Sequence, residues 1–300
     1  MNTLKNGSTG GEVTMLQRAL SLLGYNCTVD GNFGPGTQAA VEQFQTAQGL
    51  TADGVAGPDT WGALDNLAPQ GMDIYHGDNI TWGSLSSHIQ FVYCKCSQGA
   101  TYKDPMFTSN VNSAKGKGLI VGAYHFLTFA DSAQAQANNF LAGGFDFSAP
   151  GSLPPGLDVE WQVGSDDADT NELNQFITDN KDACVQIIAD WLDIVATKTG
   201  RTPVIYTAKG FMNEYFNGVT EFSNNPLWIP AYQQQQPGLP AGWTSYAIWQ
   251  YSDNATIPGT DGGLDLDIFH GNASDLKKFA LIAVPALILI AYNFFYKSLT

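Results

Sequence analysis

The chain is 300 residues long, 44% of its residues are hydrophobic, and its formal net charge at pH 7 is −15. A chain of this length forms one large domain or two unequal ones, and an acidic chain without a basic stripe argues against a nucleic-acid partner. Cys27, Cys94, Cys96 and Cys184 lack the CxxC-type spacing of a metal site. They are predicted to be buried thiols of a protein made in a reducing compartment, and no metal or cofactor is expected.

The sequence pattern of residues 1–67 predicts a small helical unit. The unit begins without the apolar segment of a signal peptide, so we expect synthesis in the cytoplasm without that route of export. Leu16 and Leu20 recur at a helical interval, and the turn DGNFGPGT at 30–37 is echoed by DGVAGPDT at 53–60. The Asp-Gly pairs suggest calcium, but neither turn has the alternating ligands and closing glutamate of an EF-hand loop.

This unit resembles a known cell-wall module. The segments VTMLQRALSLLGY, VDGNFGPGTQAAVEQFQ and LTADGVAGPDTWGAL are similar to the peptidoglycan-binding domain 1 family, a three-helix fold, and they cover almost the whole unit. The resemblance implies binding of peptidoglycan stem peptide or glycan. The candidate contacts are turn and groove positions that could equally be structural, namely Asp30, Gly31, Phe33, Gly34 and Thr37.

After a short linker at 66–71, the pattern changes to apolar runs with helical segments around 106–116, 131–142 and 171–199. The runs, each a predicted strand, lie at 72–75, 91–96, 119–127, 157–161, 204–207, 227–232, 247–251 and 264–269. Strands that alternate with helices indicate a largely parallel sheet, and eight strands suggest a closed barrel. Because long helices are missing between the last strands, we predict an α/β fold with an irregular, TIM-like, eight-stranded β/α barrel.

Two carboxylates stand out in the segment LPPGLDVEWQ at 153–162. Asp158 and Glu160 are two positions apart in a predicted strand, where residues i and i+2 point to the same side. Neighbouring carboxylates repel when both are ionised, so one pKa rises and a proton donor stands beside an anion. Such a pair suits hydrolysis of a glycosidic bond. The alternative is a pair of surface acids at the end of a strand.

Acids and aromatic residues also occur at the other predicted strand ends. In a β/α barrel the carboxyl ends of the strands form the catalytic face. Carboxylates there can perform acid chemistry and aromatic rings can stack on sugars, although each ring could instead fill the core. The residues in these positions are Asp73, Gln98, Tyr124, His125, Tyr206, Trp228, Tyr232, Trp249, Gln250, and Asp265 or Asp267.

Residues 71–271 resemble the glycoside hydrolase family 25 lysozymes, the Chalaropsis-type N-acetylmuramidases. The matching segments, in order, are GMDIYHGDNITW, FVYCKCSQGATYKDPMF, GLIVGAYHFLTF, LPPGLDVEW, TPVIYTAKGFM, PLWIPAY and YAIWQYSDNATIPGTDGGLDLDIFHG. The resemblance implies an irregular eight-stranded β/α barrel. It also implies cleavage of the β-1,4 bond between N-acetylmuramic acid and N-acetylglucosamine in peptidoglycan.

The resemblance further implies roles for individual residues. Glu160 is expected to protonate the leaving oxygen, and Asp158 to stabilise the oxocarbenium charge or to orient the substrate's N-acetyl group. Asp73 and Asp265 complete the acidic cluster, with Asp265 preferred because Asp267 stands where the family more often has asparagine. The expected substrate-binding residues are Tyr124, His125, Gln98, Tyr206, Trp228, Tyr232, Trp249 and Gln250. Gln98 replaces a common glutamate, a change expected to alter substrate orientation or the pH optimum.

The carboxyl terminus has a different character. Residues 279–296 contain no charge over about the length that crosses a bilayer, and Lys277, Lys278 and Lys297 flank them. We predict a membrane-spanning or membrane-anchoring helix, with a buried terminal helix as the alternative. The predicted division of the chain is a wall-binding domain at 1–67, a muramidase domain at 72–273 and a membrane segment at 277–300.

Two classes of function remain open on the sequence alone. The first is a muramidase that acts at the cell wall as a phage endolysin, or as the lytic component of an injection or secretion system. The second is a catalytically impaired barrel that only anchors a membrane-tethered protein to peptidoglycan. All four acids are present, which favours the enzyme. Peptidoglycan, a membrane, and a phage or injection-system component are the expected partners.

Overall fold

The structure is a computed structural model that describes residues 3–232 and 236–281. Its amino-terminal unit consists of α1 (Gly11–Leu22), α2 (Pro35–Ala47) and α3 (Pro58–Leu67). Pro35 and Pro58 stand at the start of their helices, where the missing N–H has no intrahelical partner to lose and the fixed φ suits the helix. The predicted three-helix unit is therefore confirmed.

A buried glutamine fixes each copy of the repeated turn. The Gln17 side chain donates from Nε2 to Asp30 Oδ1 and Thr37 Oγ1, both at 2.9 Å, and its Oε1 accepts the backbone N–H of Gly31 at 2.9 Å. Gly31 has a φ of +71°, a left-handed conformation that glycine adopts without strain. The second copy repeats this arrangement with Gln45, Asp53, Gly54 and Thr60. The sequence repeat is thus a repeated hydrogen-bond network.

The remaining described residues form an α/β barrel. Its strands are β1 (Gln70–Ile74), β2 (Ile89–Gln98), β3 (Tyr102–Lys103), β4 (Ile120–Phe126), β5 (Gly156–Asp158), β6 (Val204–Tyr206), β7 (Leu227–Pro230), β8 (Ile248–Ala255) and β9 (Leu264–Phe269). Its helices are α4 (Phe107–Gly116), α5 (Ala133–Leu141), α6 (Asp167–Asp179), α7 (Lys181–Thr199), α8 (Lys209–Tyr215) and α9 (Ala273–Leu281). Each predicted run overlaps one barrel strand, and β3 is a short hairpin partner of β2. The helix predicted over 171–199 is two helices that meet at Asn180.

The strands close in the order β1-β2-β4-β5-β6-β7-β8-β9, and β9 returns to β1. Neighbours from β1 to β8 run parallel, whereas β9 is antiparallel to β8 and to β1. Residues 256–263, which join β8 to β9, are too few for the crossover that a parallel pair needs. The eight-stranded irregular barrel is confirmed. Its last strand starts at the mouth, the end where the parallel strands have their carboxyl termini.

The opposite end of the barrel, the floor, is closed by α9. Leu276 and Ala280 are buried in the same cluster as the barrel-interior residues Phe91 and Phe269. Arg201 donates from Nη2 to the Phe279 carbonyl oxygen at 2.7 Å and so fixes the helix in place. The first part of the predicted carboxyl-terminal hydrophobic helix is therefore a component of the barrel core.

The amino-terminal unit packs directly on the barrel. Trp61 stacks on His88 with ring centroids 3.7 Å apart, and the Arg18 guanidinium lies 4.3 Å from the ring centroid of Trp249. Only Ala68 and Pro69, both buried, separate α3 from β1. The predicted linker at 66–71 is therefore wrong, because most of those residues belong to a helix or a strand. The buried connection and the stacked rings leave no spacer between the two units.

Among the residues that the structure describes, no helix is both long and apolar enough to cross a bilayer. The predicted span at 279–296 lies outside the described residues, apart from 279–281 at the end of α9. The described part of that segment packs on the barrel floor.

Candidate active site

A cavity of about 80 Å³ opens at the barrel mouth, and it unites the predicted acids. Its lining is Asp73, Tyr124, Asp158, Glu160, Tyr206, Trp228, Gln250 and Asp265. Asp73 near the end of β1 is the register partner of Asp265 at the start of β9. Because β9 runs opposite to its neighbours, its second residue, and not its last, reaches the mouth.

The local backbone explains how Asp158 and Glu160 reach the same cavity. β5 ends at Asp158, but the chain stays extended because Val159 donates its N–H to the Tyr206 carbonyl oxygen at 2.9 Å. Leu157 and Val159 are buried in the outer core between strands and helices. The alternation that the sequence predicts is therefore present, and the two carboxyl groups face the cavity together.

Burial raises the pKa of the cavity carboxyls. It raises the pKa of Glu160 to about 7, against the opposing effect of the Lys95 ammonium. The pKa of Asp158 lies well above its usual value because of burial and then the charge of Glu160. Burial and the charge of Asp73 raise the pKa of Asp265 to about 9. Protonated and ionised carboxyls therefore coexist in this cavity near neutral pH.

A side-chain amide organises one wall of the cavity. Gln250 donates from Nε2 to Asp73 Oδ2 at 2.8 Å, and its Oε1 accepts hydrogen bonds from the hydroxyls of Tyr206 (2.9 Å) and Tyr232 (2.7 Å). Tyr232 is 53% exposed and lies at the rim. The two phenols and the amide hold Asp73 in position and present polar atoms to a bound sugar.

Asp267 lies beneath the cavity and does not line it. It is fully buried, and its Oδ1 accepts a hydrogen bond from Trp228 Nε1 at 2.8 Å. Of the two acids on β9, only Asp265 reaches the mouth. Within the described residues, Asp158 Oδ1 is buried without a hydrogen-bond partner.

Two predicted substrate-binding residues, His125 and Trp249, do not face the cavity. His125 is buried outside the barrel, where it stacks on Trp191 at 5.6 Å and its Nδ1 lies 2.8 Å from Ser97 Oγ. Burial lowers its pKa to about 4. Trp249 packs under Arg18 of the amino-terminal unit. Both predictions are wrong because each residue neighbours a cavity-lining one, and adjacent strand residues point to opposite faces.

Lys95 is a site residue that sequence reasoning missed. It donates from Nζ to Gln98 Oε1 at 3.0 Å and lies 4.9 Å from the ring centroid of Phe126. A bulge between Lys95 and Ser97 shifts the register of β2 against β4, which lets residues 95 and 98 share one face. Burial lowers the pKa of Lys95, and the nearby charges of Asp158, Asp104 and Glu160 oppose this effect. Gln98, which is also a predicted substrate-binding residue, is not among the residues that line the cavity, and its side chain instead positions this cation.

The candidate residues of the amino-terminal unit lie on its first turn. Asp30 and Gly31 are held by Gln17, as described above. Phe33 and Thr37 are buried, and Gly34 precedes α2. Of the candidates, Asp30 retains an exposed side chain. In the part of the chain that the structure describes, no cluster of histidine, cysteine or acidic residues is arranged to hold a metal ion.

Residues 72–260 match the family model of the glycosyl hydrolases family 25, and residues 9–64 match that of a putative peptidoglycan binding domain. The chain belongs to glycosyl hydrolase family 25. This family 25 protein is 31% identical to Lysozyme M1 of Streptomyces globisporus over 259 residues, which cover 82% of each chain. It is 31% identical to the N,O-diacetylmuramidase of a Chalaropsis species over 220 residues, 70% of this chain and 98% of the relative.

A solved structure agrees with the family assignment. The muramidase from Acremonium alcalophilum matches 71% of this chain and 98% of its own, with a TM-score of 0.61 and 32% identity. The resemblance predicted from the sequence motifs is confirmed for both the barrel and the amino-terminal module. The family 25 protein is therefore a glycoside hydrolase of the lysozyme type, with peptidoglycan as its substrate.

Proposed function

We propose that the enzyme hydrolyses the β-1,4 bond between N-acetylmuramic acid and N-acetylglucosamine at the barrel mouth, with Glu160 and Asp158 in separate roles. The observation that carries this proposal is that both carboxyls line one small cavity, in which the pKa of Glu160 is raised to about 7. Glycosidases commonly pair a carboxylic acid that protonates the leaving oxygen with a second carboxylate close by.

Glu160 acts as the general acid. Its pKa of about 7 keeps a large protonated fraction at neutral pH, and the carboxyl gives its proton to the glycosidic oxygen as the bond to the anomeric carbon breaks. The carboxylate that remains can then accept a proton from the attacking water. Lys95 favours this ionised form and lowers the cost of placing a charge in a buried site.

Asp158 supports the sugar cation that forms during bond cleavage. Its Oδ1 has no hydrogen-bond partner among the described residues, although the atom is buried. An unsatisfied buried acceptor suits the N–H of the substrate's N-acetyl group. A carboxylate in that position would direct the acetyl oxygen toward the anomeric carbon and stabilise the positive charge of the sugar ring. The hydroxyl groups around the sugar ring would be held by Asp73, Asp265 and Gln250.

The decisive test uses purified peptidoglycan sacculi. The wild type should clear the suspension and release fragments whose reducing ends become muramitol after borohydride treatment. Glu160→Gln should bind sacculi without clearing them, because the amide cannot donate the proton. Clearing at the wild-type rate by Glu160→Gln would remove this residue from the mechanism. Binding without clearing by the wild type would support the alternative, a wall anchor with an impaired barrel.

The carboxyl-terminal segment supports a second proposal, that the enzyme is tethered to a membrane. The support is the uncharged run at 279–296 and its flanking lysines. Because α9 packs in the barrel floor, a useful truncation ends after residue 281 and not before α9. The full chain should sediment with membranes, whereas the truncated chain and the full-length variant Ile288→Lys/Ile290→Lys should not. A soluble full chain would contradict the tether.

The biological setting that we propose is lysis by a phage or by an injection or secretion system. The support is the combination of a lysozyme-type barrel with a peptidoglycan-binding module, which suits an enzyme that opens the cell wall. Neighbouring genes for a holin or for injection components would support this setting. Neighbours of neither kind, together with release of the enzyme by an ordinary secretion pathway, would contradict it.

A further inference from the structure

An open groove of about 360 Å³ lies beside the catalytic cavity. It runs between the segment after β4 and helix α6, and none of the cavity-lining acids belongs to it. The groove is therefore a separate space that a part of the substrate away from the four cavity acids could occupy.

The groove begins next to the reacting groups. Phe126, which lines the groove, is the register partner of Asp158 on the adjacent strand. Gln162, another lining residue, donates from Nε2 to the Glu160 carbonyl oxygen at 3.0 Å. A ligand bound at Asp158 and Glu160 therefore lies at the entrance of the groove, and a branch on that ligand can extend into it.

The surface of the groove is apolar where it is open. Val163 is 76% exposed and Phe176 is 42% exposed, and both line the groove with Leu173. Two of the polar side chains beside them, Thr128 and Gln162, are already engaged in hydrogen bonds. Thr128 Oγ1 donates to Asp131 Oδ2 at 3.0 Å, and the Gln162 amide also donates to the Leu127 carbonyl oxygen. Apart from the carboxylates of the rim, few hydrogen-bonding groups are left for the hydroxyls of a sugar chain.

The rim of the groove is acidic. Asp131, Asp169 and Glu172 belong to its lining, and none of the described lining residues is basic. The Asp131 and Asp169 carboxylates accept hydrogen bonds from the backbone N–H groups of Ala100 and Ser165, which hold them in place. An apolar surface beside fixed negative charge suits a ligand with small aliphatic groups and an amine.

We propose that this groove binds the peptide branch of the muramic acid residue whose bond is cleaved, an inference that rests on the proposed muramidase function. The branch leaves the sugar ring through its lactyl ether, close to the anomeric carbon, and must leave the cavity beside Asp158 and Glu160. Its alanine methyl groups contact Val163, Leu173 and Phe176. The free amine of its diamino acid lies near Asp169 and Glu172. The groove thereby selects peptide-bearing glycan over bare glycan.

The test compares two substrates for one pair of variants. The substrates are intact sacculi and glycan strands from which an amidase has removed the peptides. Val163→Ser/Phe176→Ser changes two exposed side chains of the groove, and Met106→Ser is the matched control, since Met106 is 42% exposed and does not line the groove. We expect kcat/KM of the double variant to fall about tenfold on intact sacculi, the scale of one apolar contact surface, with no change on stripped strands.

Each outcome bears on the inference. An equal loss on both substrates would show that the groove binds glycan, and no loss on either would show that it is unused; both results overturn the inference. Wild type that cleaves neither substrate would overturn the muramidase function itself. As a second measurement, a free peptide containing a diamino acid should inhibit the wild type competitively. Its inhibition constant should rise in Glu172→Gln and in the double variant, and an unchanged constant in both would contradict the proposed site.

Discussion

The polar networks of the amino-terminal turns and the carboxyl cluster of the barrel mouth are both built around buried hydrogen-bonding groups, but only the first is internally satisfied. In the turns, Gln17 and Gln45 bond through both ends of their amides to backbone and side-chain partners. In the mouth, carboxyls are crowded together, and Asp158 Oδ1 is buried without a partner among the described residues. The first network stabilises the fold, whereas the second holds groups that a substrate can engage.

The largest expected effect is on catalysis. Glu160→Gln should lower the rate of sacculus clearing about 1,000-fold, since general acid catalysis contributes on that scale. The variant should not lose stability. The folded-state pKa of Glu160 is raised to about 7, so its contribution to stability is complete below its unfolded pKa and is lost as pH rises through 7. Above pH 7 the amide should match or exceed the wild type in Tm. A Tm of Glu160→Gln below that of the wild type at pH 8 would contradict the expectation that the ionised Glu160 carboxylate destabilises the fold.

The second expected effect is on the stability of the fold and not on the catalytic rate. Gln45→Ala removes a buried amide that bonds Asp53, Gly54 and Thr60, and should lower the free energy of unfolding by about 2–3 kcal/mol. Gln43→Ala, on the exposed face of the same helix, is the control and should change it little. Denaturant unfolding of both variants measures the difference. Equal stability would show that the turn network is dispensable.

The third effect is a displacement of the pH profile. Lys95→Met removes the cation that lowers the pKa of Glu160 and Asp158, so both pKa values should rise. Glu160 must be protonated and Asp158 ionised, so the alkaline and acidic limbs should both move upward, by about one pH unit. Lys95→Arg keeps the charge and should leave the limbs nearly in place. A pH profile of kcat/KM that is identical in all three proteins would exclude the electrostatic role.

The smallest effect concerns Gln98. A carboxylate there would lie within reach of the Lys95 ammonium and offset its charge. Gln98→Glu should therefore raise the pKa of Glu160 and move the alkaline limb upward by about half a pH unit. Gln98→Ala should not produce this upward shift, because it adds no negative charge. Shifts of the same sign in both variants would point to altered packing around Lys95 and not to charge.

Much of the fold follows from sequence periodicity and spacing. Each predicted apolar run overlaps a barrel strand, because barrel strands are buried on both faces and are therefore rich in apolar residues. The pairing of Asp158 with Glu160 follows from strand alternation. The same rule, applied to neighbours, would have separated Tyr124 from His125 and Gln250 from Trp249. Strand alternation alone therefore places His125 and Trp249 on the face opposite the cavity.

Other features depend on long-range structure. Lys95 and Gln98 are three positions apart and would face opposite ways in a regular strand, and only the bulge in β2 brings them together. The direction of β9 was partly readable, since its short connection to β8 favours a hairpin. Its return to β1, which sets Asp265 against Asp73, depends on how the whole barrel closes. The contact between Arg18 and Trp249 also joins residues that are far apart in the sequence, so no local pattern predicts it.

The continuous packing between the module and the barrel has a consequence for cooperativity. Residues of both regions, among them Leu16, Trp61, Ile89 and Trp249, belong to one hydrophobic cluster. The two regions should therefore unfold in a single transition and not as independent units. A protein engineer who removes the module would expose Trp249 and the ring of His88 to water. In this lysozyme the wall-binding unit is an integral part of the folding unit, and it is not an exchangeable attachment.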